Sequence, residues 1–172
     1  MGSRRPLSTP VLQHYHHPEH LVGLGFRCAM TCLRPANNFA SPQACVGPKA
    51  CAILKAAIKA HCLPAKLNIE FTAWALAVEA SADRQIQLSP LDHQAFSPDE
   101  SLAIALVAAC QHAHCPALTA CASALLGTPD LGRALAATQI LAHTLLTANA
   151  VLQSHDDARL RPCPANKAAR PH

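Results

Sequence analysis

Between Ser101 and Pro129, and again between Ala134 and His155, this chain of 172 residues carries no Asp, Glu, Lys or Arg. Uncharged stretches of that length either span a bilayer or bury themselves inside a folded domain. Gln111, His112, His114 and Pro116 interrupt the first, and Thr138, Gln139, His143, Thr144 and Asn149 interrupt the second. Neither therefore supplies the ~20 predominantly apolar residues of a spanning helix, and buried elements of one domain are expected. The length suffices for a full core without disulfides or metals. With 51% hydrophobic but only 3% aromatic residues, that core must be built from Ala, Leu, Ile, Val and Cys. Such side chains bury little area each but let backbones approach closely.

Charge excludes one class of partner. The formal charge of +4 comes largely from Arg4, Arg5, Arg159, Arg161, Lys167 and Arg170 near the two ends. The middle lacks the basic face interleaved with aromatics that nucleic acid requires, so no nucleic-acid partner is expected. No apolar run follows Arg4 and Arg5 before Pro18, so no secretory signal is expected. Nine cysteines, with Cys51, Cys62, Cys110 and Cys121 inside Ala-rich helical stretches, point to reduced, buried thiols in a cytoplasmic protein.

The chain divides into a polar, His-containing tail over 1–19, one domain over 20–155, and a basic tail over 156–172. Within the domain, 20–26 reads as a buried strand, and Cys28 to Pro48 as a loop with Pro35, Pro42, Pro48 and the Asn37-Asn38 pair. Lys49 to His61 reads as a helix, with Ile53, Ala57 and Ile58 on one face and Lys55 and Lys59 on another. Lys66 to Phe71 alternates with period two, a strand pattern, after which Thr72 is placed to cap a helix through Trp74, Val78 and Glu79. Gln85 to Leu88 alternates again. Ser97-Pro98-Asp99-Glu100 carries a capping serine, a proline at the first helical position and acids in the first turn. The helix that follows, to Cys110, is apolar on most sides and so buried, and Pro116 opens another that ends at Gly127. Leu131 to Leu152 reads as one long helix or as two apolar segments hinged near His143. Early alternation of strands and helices predicts an α/β domain, a small sheet flanked by helices on both faces; the alternative is a mostly α-helical single domain.

Against that organisation Leu21-Val22-Gly23-Leu24-Gly25-Phe26-Arg27 stands out. Gly23 and Gly25 would let the backbone approach a ligand, and Arg27 sets a forked cation at the strand's end, suited to a carboxylate or phosphate. The third glycine of a dinucleotide fingerprint is absent. This G-x-G-x-R element, Thr72 followed seven residues on by Glu79, and Phe96-Ser97-Pro98-Asp99-Glu100 occur in an order similar to one known family. So do Cys115-Pro116-Ala117-Leu118 through Leu126, and Thr147-Ala148-Asn149-Ala150-Val151. The pattern resembles the C-terminal domain of the cobalamin-biosynthesis protein CbiG and its free-standing relative CobE, over residues 21–152. It departs from the family at Leu76, where a lysine is usual, at Ala120, where a glutamate is usual, and at Thr138, where a basic residue is usual. The loop over 28–48 is also longer.

The resemblance implies a corrin-ring intermediate, a carboxylate-fringed tetrapyrrole, as partner. It implies Gly23, Gly25, Arg27, Thr72 and Ser97 as ligand-binding residues, the last two through helix N-termini that favour anions. Glu79 is the one candidate for a catalytic base in a lactone-opening reaction, and binding is favoured over catalysis. Other cobalamin-pathway proteins or a second copy of the chain are further partners under this reading. A rival reading is a Cys/His metal-binding protein, from His14, His16, His17 and His20, from Cys110, His112, His114 and Cys115, and from Cys28 and Cys32 at i, i+4. A third is an interaction domain that docks a partner on its Ala-rich helices and leaves an apolar patch exposed. No metal site and no membrane partner are expected.

Overall fold

Residues 18–33 form a helix, and with that the sheet disappears. The computed structural model describes residues 18–34 and 46–153. It contains six helices, α1 (Pro18–Leu33), α2 (Val46–Ala60), α3 (Leu67–Ser81), α4 (Pro98–Gln111), α5 (Cys115–Leu126) and α6 (Gly132–Thr147). There is no strand among the described residues. The α/β expectation is overturned, and the mostly helical alternative is the architecture found. The expected tails lie outside the described residues, except that Pro18 and Glu19 already belong to α1.

The error at α1 has a physical cause. A short apolar run bounded by glycines does not distinguish a buried strand from a helix buried on every side. Every residue from Leu21 to Met30 is buried, because α1 runs through the middle of the molecule and packs on α2, α3 and α4. The glycines serve that packing. A Cβ on Gly23 would lie 2.5 Å from the Phe96 ring, and one on Gly25 would lie 2.5 Å from the Phe71 ring. Each glycine is thus a notch in a helix, filled by an aromatic ring from another element.

The period-two pattern over Lys66–Phe71 is likewise overridden. Leu67, Phe71, Trp74, Ala75 and Val78 form a buried stripe at helical spacing, and α3 begins at Leu67. Phe26, Phe71 and Trp74 then stack at the centre, with ring centroids 4.9 Å apart for Phe26–Trp74 and 6.3 Å for Phe71–Trp74. The indole N–H donates to Thr138 Oγ1 of α6 at 2.9 Å, so the one tryptophan has its polar atom satisfied. Gln85 to Leu88 does alternate, with Ile86 buried and both glutamines exposed, but it pairs with no strand among the described residues, and Arg34, Ser97 and Asp99 side chains bond its backbone instead.

Other expectations are met closely. α2 buries Ala57 and Ile58 and exposes Lys55 and Lys59. α5 ends at Gly127, whose φ of 73° is the left-handed cap that glycine takes without strain. The ambiguous stretch after Leu131 is one helix to Thr147, and residues 150–153 follow as an irregular segment. Gln111 holds that segment, donating to the Ala150 carbonyl and accepting from Leu152 N–H. Among the described residues no helix is long and apolar enough to cross a membrane.

The two notches give a test of sign. Gly25→Ala gains about 1 kcal/mol of helix propensity but drives a methyl group into a fully buried Phe71 ring, at about 1–3 kcal/mol. Urea unfolding should show a net loss. Gly47→Ala in α2, where a Cβ meets nothing within 4 Å, should give a small gain.

Candidate functional site

Three of the six residues singled out in the sequence, Gly23, Arg27 and Ser97, converge on one place, around a residue not singled out as a site, Glu100. Arg27 projects from α1 and is 2% exposed; Glu100 opens α4 and is fully buried. Nε donates to Glu100 Oε1 at 2.7 Å and a terminal nitrogen donates to Oε2 at 2.8 Å, a forked ion pair. The other terminal nitrogen donates to the carbonyls of Pro90 and His93, and the remaining N–H reaches the Ala95 carbonyl at 2.9 Å. A guanidinium has five donors, and here all five are engaged within the chain. The Phe96 ring that fills the Gly23 notch lies 5.3 Å from the same guanidinium carbon, within cation–π range.

Glu100 is equally saturated. Besides Arg27, its Oε2 accepts from Ser97 N–H at 2.7 Å and its Oε1 from Ser89 N–H at 3.2 Å. Ser97 Oγ accepts from Glu100 N–H in return, which completes a capping box at the start of α4. Ser97-x-x-Glu100 carries this signal in the sequence, where the acids of the first turn point only to the helix dipole. Ser97 is a helix cap as expected, but its hydroxyl is turned inward to the Gln87 carbonyl.

A second clamp stands beside the first. Arg84 forms a forked pair with Asp99 and donates to the Ala124 carbonyl near the end of α5. Burial pushes the Asp99 carboxyl up, but the hydrogen bonds from Arg84 and from Gln87 N–H outweigh it and hold the group below the ordinary carboxylate range. The two arginines thus fix residues 82–97, a segment without helix, against three helices.

The remaining candidates lie apart. Thr72 sits in the middle of α3, where its hydroxyl donates to the Asn68 carbonyl, so it opens no helix and offers no N-terminal dipole. Glu79 lies two turns further along the exposed side of α3, 3.3 Å from Arg34. Gly23 and Gly25, being mid-helix, commit their backbone to the helix and present no strand end.

The Cys/His groups are also dispersed. His112 pairs with the Leu152 carbonyl, His114 Nδ1 accepts from Ala117 N–H as the cap of α5, and Cys115 is exposed. No group of three or more His, Cys, Asp or Glu is placed to hold a metal among the described residues. Cys62 is exposed at a φ of 53°, against the buried position expected of it. One contact between thiols does form: Cys32 of α1 and Cys51 of α2 have sulfurs 2.8 Å apart. His14, His16, His17, Cys45 and Cys163 lie outside the described residues.

Compared with family models, with curated proteins and with solved structures, the chain matches none.

Two outcomes test the clamps. Arg27→Met strands a fully buried carboxylate and should cost about 3–5 kcal/mol in urea unfolding. Arg27→Met with Glu100→Leu should recover part of that loss, because the uncompensated charge goes too. The Asp99 pKa is lowered on folding, so its stabilisation is complete above the unfolded value near 4 and disappears as pH falls through the folded value. The stability gap between the parent and Asp99→Asn should accordingly be constant at neutral pH and shrink below about pH 4.

Proposed function

We propose that this chain is a non-catalytic helical interaction module that pairs with a second copy of itself through the outer face of α3. The observation that carries the reading is an apolar stripe at Ile69, Ala73, Leu76 and Ala80, all exposed; Ile69 is 71% and Leu76 52% accessible. Their spacing of four, three and four residues is that of a seam meant for another helix. Beside it on α6, four residues before the Thr144 that bonds Glu70, Ile140 is 60% exposed.

The stripe is complementary to itself. A two-fold axis crossing α3 between Trp74 and Ala75 sets each large residue against a small one, Ile69 opposite Ala80 and Leu76 opposite Ala73. A second copy therefore fits in shape. α3 is about 22 Å long, and with α6 beside it the face amounts to an interface of about 1,000 Å² in total, the lower limit for specific pairing. A reversible dimer with a dissociation constant in the micromolar range or weaker follows.

The tetrapyrrole reading draws less support from this geometry. The resemblance behind it implies an α/β sheet, and its anion-gripping arginine has all its donors engaged internally. Its lysine position is Leu76, which belongs to the apolar stripe.

Sedimentation equilibrium from low micromolar to near-millimolar protein should show a monomer–dimer equilibrium. Leu76→Lys should shift it to monomer while leaving the unfolding free energy of the monomer within about 0.5 kcal/mol of the parent, since the side chain is half exposed. A parent that stays monomeric throughout, or a Leu76→Lys chain that still dimerises, overturns the proposal. A saturable change in a corrinoid's visible spectrum on adding the parent protein would restore the tetrapyrrole reading in its place.

A further inference from the structure

Cys32 lies in the last turn of α1 and Cys51 in the second turn of α2, with their sulfurs 2.8 Å apart. Both thiols are half-buried, so neither is sealed from solvent. Two features hold them together. α1 and α2 pack closely across Ala50, which is fully buried, and the Cys32 sulfur also donates to the Gly47 carbonyl at 3.3 Å. The two sulfurs thus need only a small approach to become bonded, with no separation of helices to overcome.

We propose that Cys32 and Cys51 form a reversible disulfide that staples α1 to α2, making this corner of the bundle a thiol–disulfide redox site. The oxidant is a small-molecule disulfide of the glutathione class. The Cys51 thiolate attacks one sulfur of that disulfide, forms a mixed disulfide and expels one thiolate. Cys32 then loses its proton and attacks the Cys51 sulfur, closing the protein disulfide and expelling the second thiolate. In sum, two protein thiols and one small disulfide become one protein disulfide and two small thiols, so electrons and protons balance.

The surroundings assign these roles. The Cys32 thiol donates to the Gly47 carbonyl, which holds its proton in place until the mixed disulfide forms, and burial pushes the same thiol up. Cys28, one turn earlier on α1, is wholly buried and is also pushed up to about 12, first by burial and then by Cys32, which keeps it out of the exchange. The residues joined are 19 apart, so the bond closes a loop and constrains the unfolded chain.

The test is equilibration of the full chain in glutathione buffers of graded ratio, followed by acid quench, alkylation and intact mass. The parent should lose two hydrogen atoms in a single reversible step, and peptide mapping should join Cys32 to Cys51. Cys32→Ser and Cys51→Ser should each abolish the step, and Cys121→Ser should leave it unchanged. The oxidised parent should also unfold at higher urea than the reduced one, a shift absent in Cys51→Ala, the second variant that guards against a misfolded serine mutant. A parent that keeps all its thiols across the buffer range, one that stops at a glutathione adduct on Cys51, or one whose bond joins other cysteines overturns the proposal.

Discussion

The fold depends on one buried cation. Arg27 arises from the middle of a helix with no exposed face, and its guanidinium is fixed by one carboxylate and three carbonyls of residues 90–100. A desolvated charge of this kind is tolerated only where every donor is met, and the surrounding segment is folded so as to meet them. Residues 90–95 therefore take their shape from Arg27 rather than from internal secondary structure. Glu100 adds a second duty by closing the capping box, so the start of α4 and the seating of α1 are one event.

Around that centre the bundle is assembled from small residues with a few rings set into gaps. With so few aromatics, the rings cannot form a broad aromatic core: Phe71 and Phe96 each fill a recess that a helix offers, and Phe26 and Trp74 pack with Phe71 at the centre. Gly23 and Gly25 provide two such recesses, at the cost of weaker helix propensity. This explains how a chain rich in alanine acquires a specific packing instead of a set of interchangeable helix contacts.

Much of the helical layout was legible in the sequence: the cap at Ser97, the stop at Gly127, the amphipathic α2 and the burial of α4. Local chemistry decides such features, and it is written in a few adjacent residues. No sheet forms among the described residues because Leu21–Phe26 and Lys66–Phe71 are short apolar patterns whose period is decided by what packs on them. The glycines and Arg27 were rightly picked out as unusual, but their partners, Phe71, Phe96 and Glu100, lie tens of residues away. Nothing in the spacing of G-x-G-x-R tells a ligand's carboxylate from one supplied by the chain itself. Equally, the exposure of Ile69 and Leu76 is decided by which side of α3 packs on α1 and α6, and their residue type alone does not carry it.

The clamp also governs the order in which the chain can fold. Arg27 and Glu100 are 73 residues apart, so the N-terminal helix is made long before its counter-charge exists. At ribosomal rates of about 5–20 residues per second, that delay is roughly 4–15 s, far longer than a helix takes to form. During synthesis Arg27 therefore has no carboxylate to pair with until Glu100 is made, and the native seat of α1 is complete only once α4 joins it.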